Sequence, residues 1–179
     1  MSEIPFDNLL ESLLDEETRF HPRNLYRLSD LDPTEIESLA KTWPQIPLWR
    51  RRALMEDLEE LGDSDTILSC EAVARQAIDD DDPQVRSTAI RILNDYETKD
   101  LIPKYINILT EDQDAEVRAA AALALGYFVY QGELEELPKR TQREIETVLF
   151  KTIDDDQAKI VRRRALEAVS FSIHEDVPV

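Results

Sequence analysis

Apolar residues recur along most of this chain at the spacing of one face of an amphipathic helix. Proline interrupts the pattern at Pro44 and Pro47, where a missing backbone donor ends a helix, and Gly62 is expected to end the next helix in a left-handed conformation. The pattern therefore predicts an all-α chain of short helices. The predicted segments are 4–14, 32–43, 48–61, 65–78, 83–96, 101–109, 115–130, 141–153 and 159–173.

Two of these segments begin with the residues of an N-terminal capping box. Asp32, followed by Pro33 and Glu35, combines a side-chain acceptor, a proline in the first turn and a glutamate that can reach back to the cap. The segment 141–144, Thr-Gln-Arg-Glu, has the same spacing of cap residue and glutamate, without the proline. Each box predicts the start of a helix.

Residues 1–31 are predicted to form an N-terminal region ahead of an array that fills residues 32–179. This region consists of the amphipathic segment 4–14 and a connector with a helical turn near residues 24–28. Phe6, Leu9 and Leu13 are expected either to pack on the array or, if exposed, to dock on a partner protein or on a second copy of the chain.

A short phrase recurs four times in the chain. Its best copies are Asp82–Ala89 and Asp114–Ala121, which open with Asp and contain Val-Arg followed by Ala. Val161–Ala165 keeps the apolar, Arg and Ala positions, but Ala158 replaces the opening Asp. Trp49–Ala53 is the weakest copy, because Asp57 stands where the other copies have a core leucine or valine. The steps between the apolar positions are 36, 32 and 44 residues, which is typical of a helical repeat array.

Each residue of the phrase has a physical role. The Asp caps the free amides of the helix, which contributes about 1 kcal/mol, and the apolar residue enters the core of a helix hairpin. The Ala lets the neighbouring helix approach closely. The Arg lies beside the acidic turns of adjacent repeats, so an Asp–Arg ladder is predicted along one edge of the array. The predicted members of the ladder are Asp82, Arg86, Asp114, Arg118 and Arg162.

The segment Asp114–Gly126 resembles the first helix of a HEAT repeat, which reads Asp-x-x-Val-Arg-x-x-Ala-x-x-Ala-Leu-Gly. The resemblance extends over residues 82–170 and, more loosely, over 48–81. It implies a right-handed α-α superhelix, a HEAT-like solenoid of antiparallel helix hairpins with a concave face lined by the second helices. It also implies a scaffold that holds another protein, and it implies no reaction.

Second-helix residues outside the core are expected to face that concavity. Tyr105 and Asn107 are the candidate partner-binding residues on this argument, because binding anchors concentrate on such surfaces. The remaining aromatic residues at helical spacing are expected to be mostly core. They are Tyr127, Phe128, Tyr130 and Phe150.

The chain has 179 residues and a formal net charge of −18, which repels phosphate backbones and argues against nucleic acid as a partner. The basic triplets 50–52 and 162–164 do not change this, because successive helical residues point about 100° apart and cannot form one patch. Acidic turns fall at 79–82, 111–114 and 154–156. They cap helices, attract a partner with a basic surface, or bind a divalent cation, although the glycine-containing calcium loop is absent.

No apolar run is long enough to span a membrane, and the N-terminus lacks the pattern of a signal segment. A cytoplasmic location without a membrane partner is therefore predicted. The single cysteine, Cys70, cannot form an internal disulfide, which fits a reducing compartment. It lies in an apolar helical pattern, which favours a core residue. The alternative is a reactive thiol.

Three HEAT-like families perform or assist chemistry and provide a comparison. Deoxyhypusine hydroxylase holds a di-iron centre through repeated His-Glu pairs, whereas this chain has one such pair, His174–Glu175, and His21 as its other histidine. HEAT-like alkylpurine DNA glycosylases need a basic cleft, which the acidic charge argues against. Phycobilin lyases and related chaperones grip a partner protein and are not excluded.

We therefore expect a non-catalytic protein-binding scaffold without a cofactor or metal. The alternative is a subunit of a HEAT-type lyase or chaperone, or of an enzyme whose active residues lie outside this chain. The last predicted helix carries an apolar face that no later helix covers, made by Val161, Ala165, Leu166, Val169 and Ile173. Since a solenoid needs a cover for its terminal face, either further repeats follow or the face pairs with a second copy as a homodimer.

Overall fold

The computed structural model of the protein describes residues 4–65 and 67–172. Within these ranges the chain forms nine α-helices, three short 3-10 helices and no β-strand, which confirms the prediction of an all-α fold. The α-helices are α1 (Phe6–Leu14), α2 (Pro33–Thr42), α3 (Leu48–Ser64), α4 (Glu71–Ala77), α5 (Pro83–Leu93), α6 (Ile102–Glu111), α7 (Ala115–Glu133), α8 (Lys139–Asp155) and α9 (Lys159–Val169).

The helices divide into two compact units. Unit 1 is Met1–Tyr96, which contains α1 to α5, and unit 2 is Glu97–Val179, which contains α6 to α9. The boundary lies in the connection between α5 and α6, a division that the repeat pattern did not indicate. The separate N-terminal region at residues 1–31 stays a prediction, but its helix α1 packs within unit 1.

The apolar face of α1 is buried in unit 1. Phe6, Leu9 and Leu13 pack against α2 and a 3-10 helix that spans Pro22–Leu28. This face is therefore not free to dock on a partner or a second copy. The capping box at Asp32 is confirmed, because its carboxylate accepts hydrogen bonds from the backbone N–H groups of Thr34 and Glu35 at 2.7 and 2.9 Å while Glu35 accepts from the Asp32 amide at 3.1 Å.

Two predicted helix boundaries in unit 1 are wrong. Helix α3 continues through Gly62, which has no left-handed conformation, and ends at Ser64. The predicted helix 65–78 is shortened to α4, and Ile67, expected in the core, is 88% exposed. The cause is a tertiary contact, since the backbone of Ser69 pairs with Asp30 and with the hydroxyl of Ser29 and is held out of a helix.

The weakest copy of the phrase has a register one residue later than predicted. Trp49 is exposed, and Arg50 takes the buried position of the apolar residue, with 4% of its surface exposed. Its guanidinium donates to the carbonyl oxygens of Asp15 and Thr18. Leu54 and Leu58 then take the buried positions that the predicted register gave to Ala53 and an aspartate. All four copies thus share one pattern of burial.

Unit 2 is organised around α7, which contacts α6, α8 and α9. Small residues let these helices approach closely, and the ring of Tyr105 in α6 stacks on Phe128 of α7. The predicted capping box at 141–144 is wrong, because α8 begins at Lys139 after Pro138 and places Thr141 inside the helix. Helix α7 ends at Glu133 rather than at residue 130, and α8 starts at Lys139 rather than at residue 141.

Most of the apolar face of α9 is covered within unit 2. Val161, Ala165 and Val169 are fully buried against α7 and α8, so the expectation that this face lacks a partner is wrong for these residues, whereas Leu166 is 43% exposed. Helix α9 ends at Val169 rather than at residue 173. Residue 173, the predicted last residue of this helix, and the His174–Glu175 pair lie outside the described residues.

Candidate partner-binding site

The arginine of the phrase closes the turn that precedes its own helix. In three copies its Nη1 donates to two consecutive backbone carbonyls, at 2.7 to 3.2 Å. The first residue of each turn is an aspartate whose carboxylate accepts the backbone N–H two residues later, at 2.8 to 2.9 Å. The aspartate and arginine pairs are Asp80 and Arg86, Asp112 and Arg118, and Asp156 and Arg162.

Ion pairs link these turns to neighbouring helices within each unit. In unit 2, Nε and Nη2 of Arg118 donate to the two carboxylate oxygens of Asp156 at 2.8 and 3.0 Å. In unit 1, Arg51 pairs with Asp80, and Arg52 pairs with Asp82. The arginine hydrogen bonds hold the pKa of Asp82 and of Asp156 below the ordinary range for aspartate. The aspartates of the acidic turns that pair with arginine, Asp80, Asp82 and Asp156, therefore have a structural role.

The predicted ladder residues have two distinct roles. Asp82 and Asp114 cap their helices, and Asp114 accepts from the N–H groups of Glu116 and Val117 at 2.9 and 3.2 Å. Arg118 makes its ion pair with Asp156, which lies in the acidic turn 154–156 but was not among the predicted members of the ladder. Among the described residues, no three His, Cys, Asp or Glu side chains are grouped as a metal site would need.

The two predicted partner-binding residues differ in exposure. Tyr105 is 1% exposed, and its hydroxyl lies 3.2 Å from that of Thr98, so its ring cannot reach a partner and its prediction is corrected to core. Asn107 is exposed on α6, and its role stays a prediction. Phe128 is core, as expected, but the same expectation is wrong for Tyr127 and Tyr130, which are exposed.

Unit 2 instead exposes a group of large apolar side chains, here called the aromatic row: Tyr127, Tyr130, Leu134 and Phe171. The first three follow helical spacing on α7 and its C-cap, and Phe171 follows α9. Tyr130 is 47% exposed and Phe171 is 55% exposed, and their rings meet edge to face with centroids 6.1 Å apart. Two helices thus contribute to one exposed apolar surface.

Carboxylates border one end of the aromatic row. Glu135 and Glu136 are exposed directly after Leu134, and Glu133 precedes it. The aromatic row and its bordering carboxylates are visible in the sequence, but the spacing of Tyr127 and Tyr130 also fits a buried face of the helix. One feature of the sequence did indicate exposed apolar residues here, because α7 is apolar around most of its circumference. Where neighbouring helices cover the other sides of such a helix, the apolar residues of the remaining side face solvent.

The solvent side of α8 carries charges of both signs. Arg140, Arg143 and Lys151 are exposed on it, and Glu144, Asp154 and Asp155 are exposed beside them.

His21 and Cys70 both have structural surroundings. The Nδ1 atom of His21 accepts the backbone N–H of Arg23 at 3.2 Å and caps a 3-10 helix. Cys70 is buried, and its surroundings, mainly through desolvation, raise the pKa of the thiol to about 11. The structure thus favours a core role for Cys70 over a reactive thiol.

Across residues 4–65 and 67–172, no helix has the length and apolar character needed to cross a bilayer. No curated protein matches the chain. The sequence pattern described as HEAT repeats matches residues 47–126 and 71–170, which together cover more than half of the chain and include α3 to α9. With its packed helices and recurring Asp–Arg turns, the chain therefore belongs to the HEAT-repeat family.

Proposed function

We propose that the protein is a non-catalytic scaffold or adaptor that binds a partner protein with a basic surface, and that the aromatic row of unit 2 is its contact. HEAT repeats generally mediate contacts between proteins, which supports the general role. The single observation that carries the specific proposal is the exposure of Tyr130 and Phe171 as a touching pair.

Aromatic side chains are well suited to this role. They contribute a large contact area at a small cost in conformational entropy, and they are enriched among residues that dominate binding energy. Tyr127 is already held in place, because Nε2 of Gln131 donates to its hydroxyl at 3.0 Å. A partner would therefore meet a surface that is partly ordered before binding.

The charge around the row indicates the sign of the partner. Glu133, Glu135 and Glu136 border the row, and the whole chain carries a net charge of −18. Such a field accelerates the approach of a basic protein and disfavours an acidic one at this surface. A partner that combines an apolar anchor with lysine or arginine would match both features.

The test is quantitative capture from native extract by the tagged protein. The variant Tyr130→Ala/Phe171→Ala is expected to retain about one-tenth or less of the partner that wild type captures, because it removes central aromatic contacts. The matched control is Tyr26→Ala, which removes an exposed tyrosine from unit 1 and should leave capture unchanged. Thermal melting by circular dichroism checks that each variant is folded.

Salt and charge variants test the sign of the partner. Raising the salt from about 0.05 M to about 0.5 M should weaken capture, because the screening length falls to a few ångström. Glu135→Lys/Glu136→Lys should also weaken it. Equal capture by wild type and the double aromatic variant would reject the aromatic row as the contact. The cytoplasmic location and the alternative of a HEAT-type lyase subunit stay predictions.

A further inference from the structure

A network of buried polar side chains adjoins the aromatic row of unit 2. Its centre is Glu146 of α8, which is 5% exposed. The Oε1 atom of Glu146 accepts a hydrogen bond from the Ser172 hydroxyl at 2.6 Å and one from Nε2 of Gln142 at 3.2 Å. Both donors are neutral, and a buried carboxylate is costly unless hydrogen bonds compensate for the lost water. These two bonds therefore support Glu146 in its buried position.

Gln142 connects this network to α7. Its Nε2 atom also donates to Oε1 of Glu133 at 2.6 Å, and its Oε1 atom accepts from Nζ of Lys139 at 3.1 Å. The close approach of Gln142 to α7 requires the glycine at position 132, because a Cβ atom built there would lie 2.5 to 2.7 Å from three atoms of the Gln142 side chain. The network thus extends from Glu133, which borders the aromatic row, to Ser172.

Phe171 is the member of the aromatic row that no helix holds. Tyr127 and Tyr130 lie within α7, and Leu134 is its C-cap residue, whereas α9 ends at Val169, two residues before Phe171. Phe171 is 55% exposed, so packing covers less than half of its surface. The position of this ring therefore depends on how the chain is held after α9 ends.

The next residue, Ser172, holds the chain at this point. Its backbone N–H donates to the carbonyl oxygen of Val169 at 2.8 Å, which closes a turn around Phe171. This turn is local to the end of α9, but the hydroxyl of Ser172 bonds to Glu146, 26 residues earlier in α8. Because Ser172 is 7% exposed, water competes little for the hydroxyl bond.

We propose that Glu146 is a positioning residue for the aromatic row. Through Ser172 it holds Phe171 beside Tyr130, and through Gln142 it is linked to Glu133 at the border of the row. This inference rests on the proposed function and adds the residue that orders the contact before a partner binds. An ordered side chain avoids the loss of conformational freedom that a loose one suffers on binding, which corresponds to about three- to ten-fold in affinity.

The first test observes Phe171 by NMR in the isotope-labelled full chain without a partner. Ser172→Ala removes the donor to Glu146, so the NOE between the rings of Tyr130 and Phe171 should be lost. Amide hydrogen exchange at residues 171 and 172 should accelerate about ten-fold or more, because the turn is no longer tied to α8. Glu146→Ala removes the acceptor of the same bond and should give the same result.

Two matched variants should leave both NMR signals unchanged. Glu146→Gln retains an acceptor oxygen for the Ser172 hydroxyl and is the conservative replacement. Ser170→Ala removes the serine hydroxyl on the other side of Phe171, which donates at 2.6 Å to the backbone carbonyl of Glu167. That bond is local to α9, so its loss should not release the ring.

A second test separates positioning from a general loss of stability. Capture from native extract is measured for each variant well below its melting temperature, which circular dichroism gives. Ser172→Ala should need about three- to ten-fold more protein for half-maximal capture, whereas Glu146→Gln and Ser170→Ala should match wild type. A merely structural role of Glu146 would lower the melting temperature and leave capture by the folded variant unchanged.

Two outcomes would overturn the proposal. One is a retained NOE and unchanged exchange in both Ser172→Ala and Glu146→Ala. The other is an equal effect of Ser172→Ala and Ser170→Ala, which would indicate that any lost hydroxyl near Phe171 loosens the end of α9. The proposed function fails separately, because the NMR test needs no partner, whereas equal capture by wild type and Tyr130→Ala/Phe171→Ala rejects the row as the contact.

Discussion

Arg118 and Asp156, 38 positions apart in the chain, are joined by two parallel hydrogen bonds of 2.8 and 3.0 Å. The same guanidinium closes the turn before α7 through the carbonyls of Asp112 and Gln113. One side chain therefore fixes the entry turn of α7 and ties it to the turn between α8 and α9. The pair is mostly shielded from solvent, which makes it stronger than an ordinary surface ion pair.

Replacing Asp156 by Asn should destabilise the protein. The change removes the charge that Arg118 binds and leaves a partly buried guanidinium with a weaker acceptor, so we expect a loss of roughly 1 to 2 kcal/mol in the free energy of unfolding. Urea denaturation measures it. The matched control is Asp154→Asn, an exposed residue two positions earlier, which should change stability by less than about 0.5 kcal/mol. Equal effects of the two variants would remove the ion pair as the cause.

The effect of Asp156→Asn should also depend on pH. The Arg118 hydrogen bond lowers the folded-state pKa of Asp156 below the ordinary aspartate value of 3.8. A carboxyl whose pKa is lowered by folding stabilises the protein fully above its unfolded pKa and loses that contribution as pH falls through its folded pKa. The difference between wild type and variant should therefore be constant near neutral pH and shrink below 3.8. A difference that grows on acidification would contradict this assignment.

Helices α7 and α9 touch at Gly126, where a methyl group would not fit. A Cβ atom built there lies 2.9 Å from Cα and 3.0 Å from Cβ of Ala168. Gly126→Ala should force the helices apart and cost about 1 to 3 kcal/mol. Gly62→Ala is the matched control, because its Cβ meets nothing within 4 Å, and it should stabilise the protein by up to about 1 kcal/mol. Chemical denaturation distinguishes the two signs, and stabilisation by Gly126→Ala would show that this contact is looser than described.

Helix α9 lacks the side-chain cap that α5 and α7 have. Ala158 has the extended backbone of a cap residue, with φ −84° and ψ 123°, close to the values at Asp82 and Asp114. Ala158→Asp should supply the missing acceptor and stabilise the protein by about 0.5 to 1 kcal/mol. Ala158→Asn, a neutral cap, separates the hydrogen bond from the charge. Destabilisation by both variants would mean that the turn at Asp156 cannot accept a second carboxylate or amide nearby.

The sequence correctly predicted the start of three helices whose first turn is capped by an aspartate side chain. Asp32, Asp82 and Asp114 each bind the first amides of a helix, as the sequence pattern predicts. The same signal misled at Thr141, because α8 already begins at Lys139 and the threonine lies in its first turn. A capping box states which residues can form a cap, but the burial of the surrounding residues decides where the helix starts.

The register of α3 depended on contacts that are distant in sequence. The apolar pattern predicts Trp49, which precedes three consecutive arginines, as the core residue, whereas the structure buries Arg50. The burial of Arg50 is tolerated because the carbonyl oxygens of Asp15 and Thr18 accept hydrogen bonds from its guanidinium group. These acceptors lie 35 and 32 residues away, so no pattern within the helix contains the information.

The candidate surfaces were harder to predict than the fold. Tyr105 and Tyr130 have the same residue type and similar helical spacing, yet one is buried and the other is nearly half exposed. Helical periodicity indicates that residues share a side of a helix, but the neighbouring helices decide which side is covered.

Cys70 provides a test of burial that does not depend on a partner. Desolvation, with a contribution from Asp30, raises the pKa of its thiol to about 11. At pH 8 the thiolate would then be about 0.1% of the population, and the buried sulfur is also shielded from reagents. The folded protein should react with a disulfide reagent orders of magnitude more slowly than the protein in guanidinium chloride. Ser170→Cys in a Cys70→Ser background places the thiol at an exposed position and should react rapidly without denaturant. Rapid reaction of the folded wild type would instead indicate frequent opening around α4, or a reactive thiol after all.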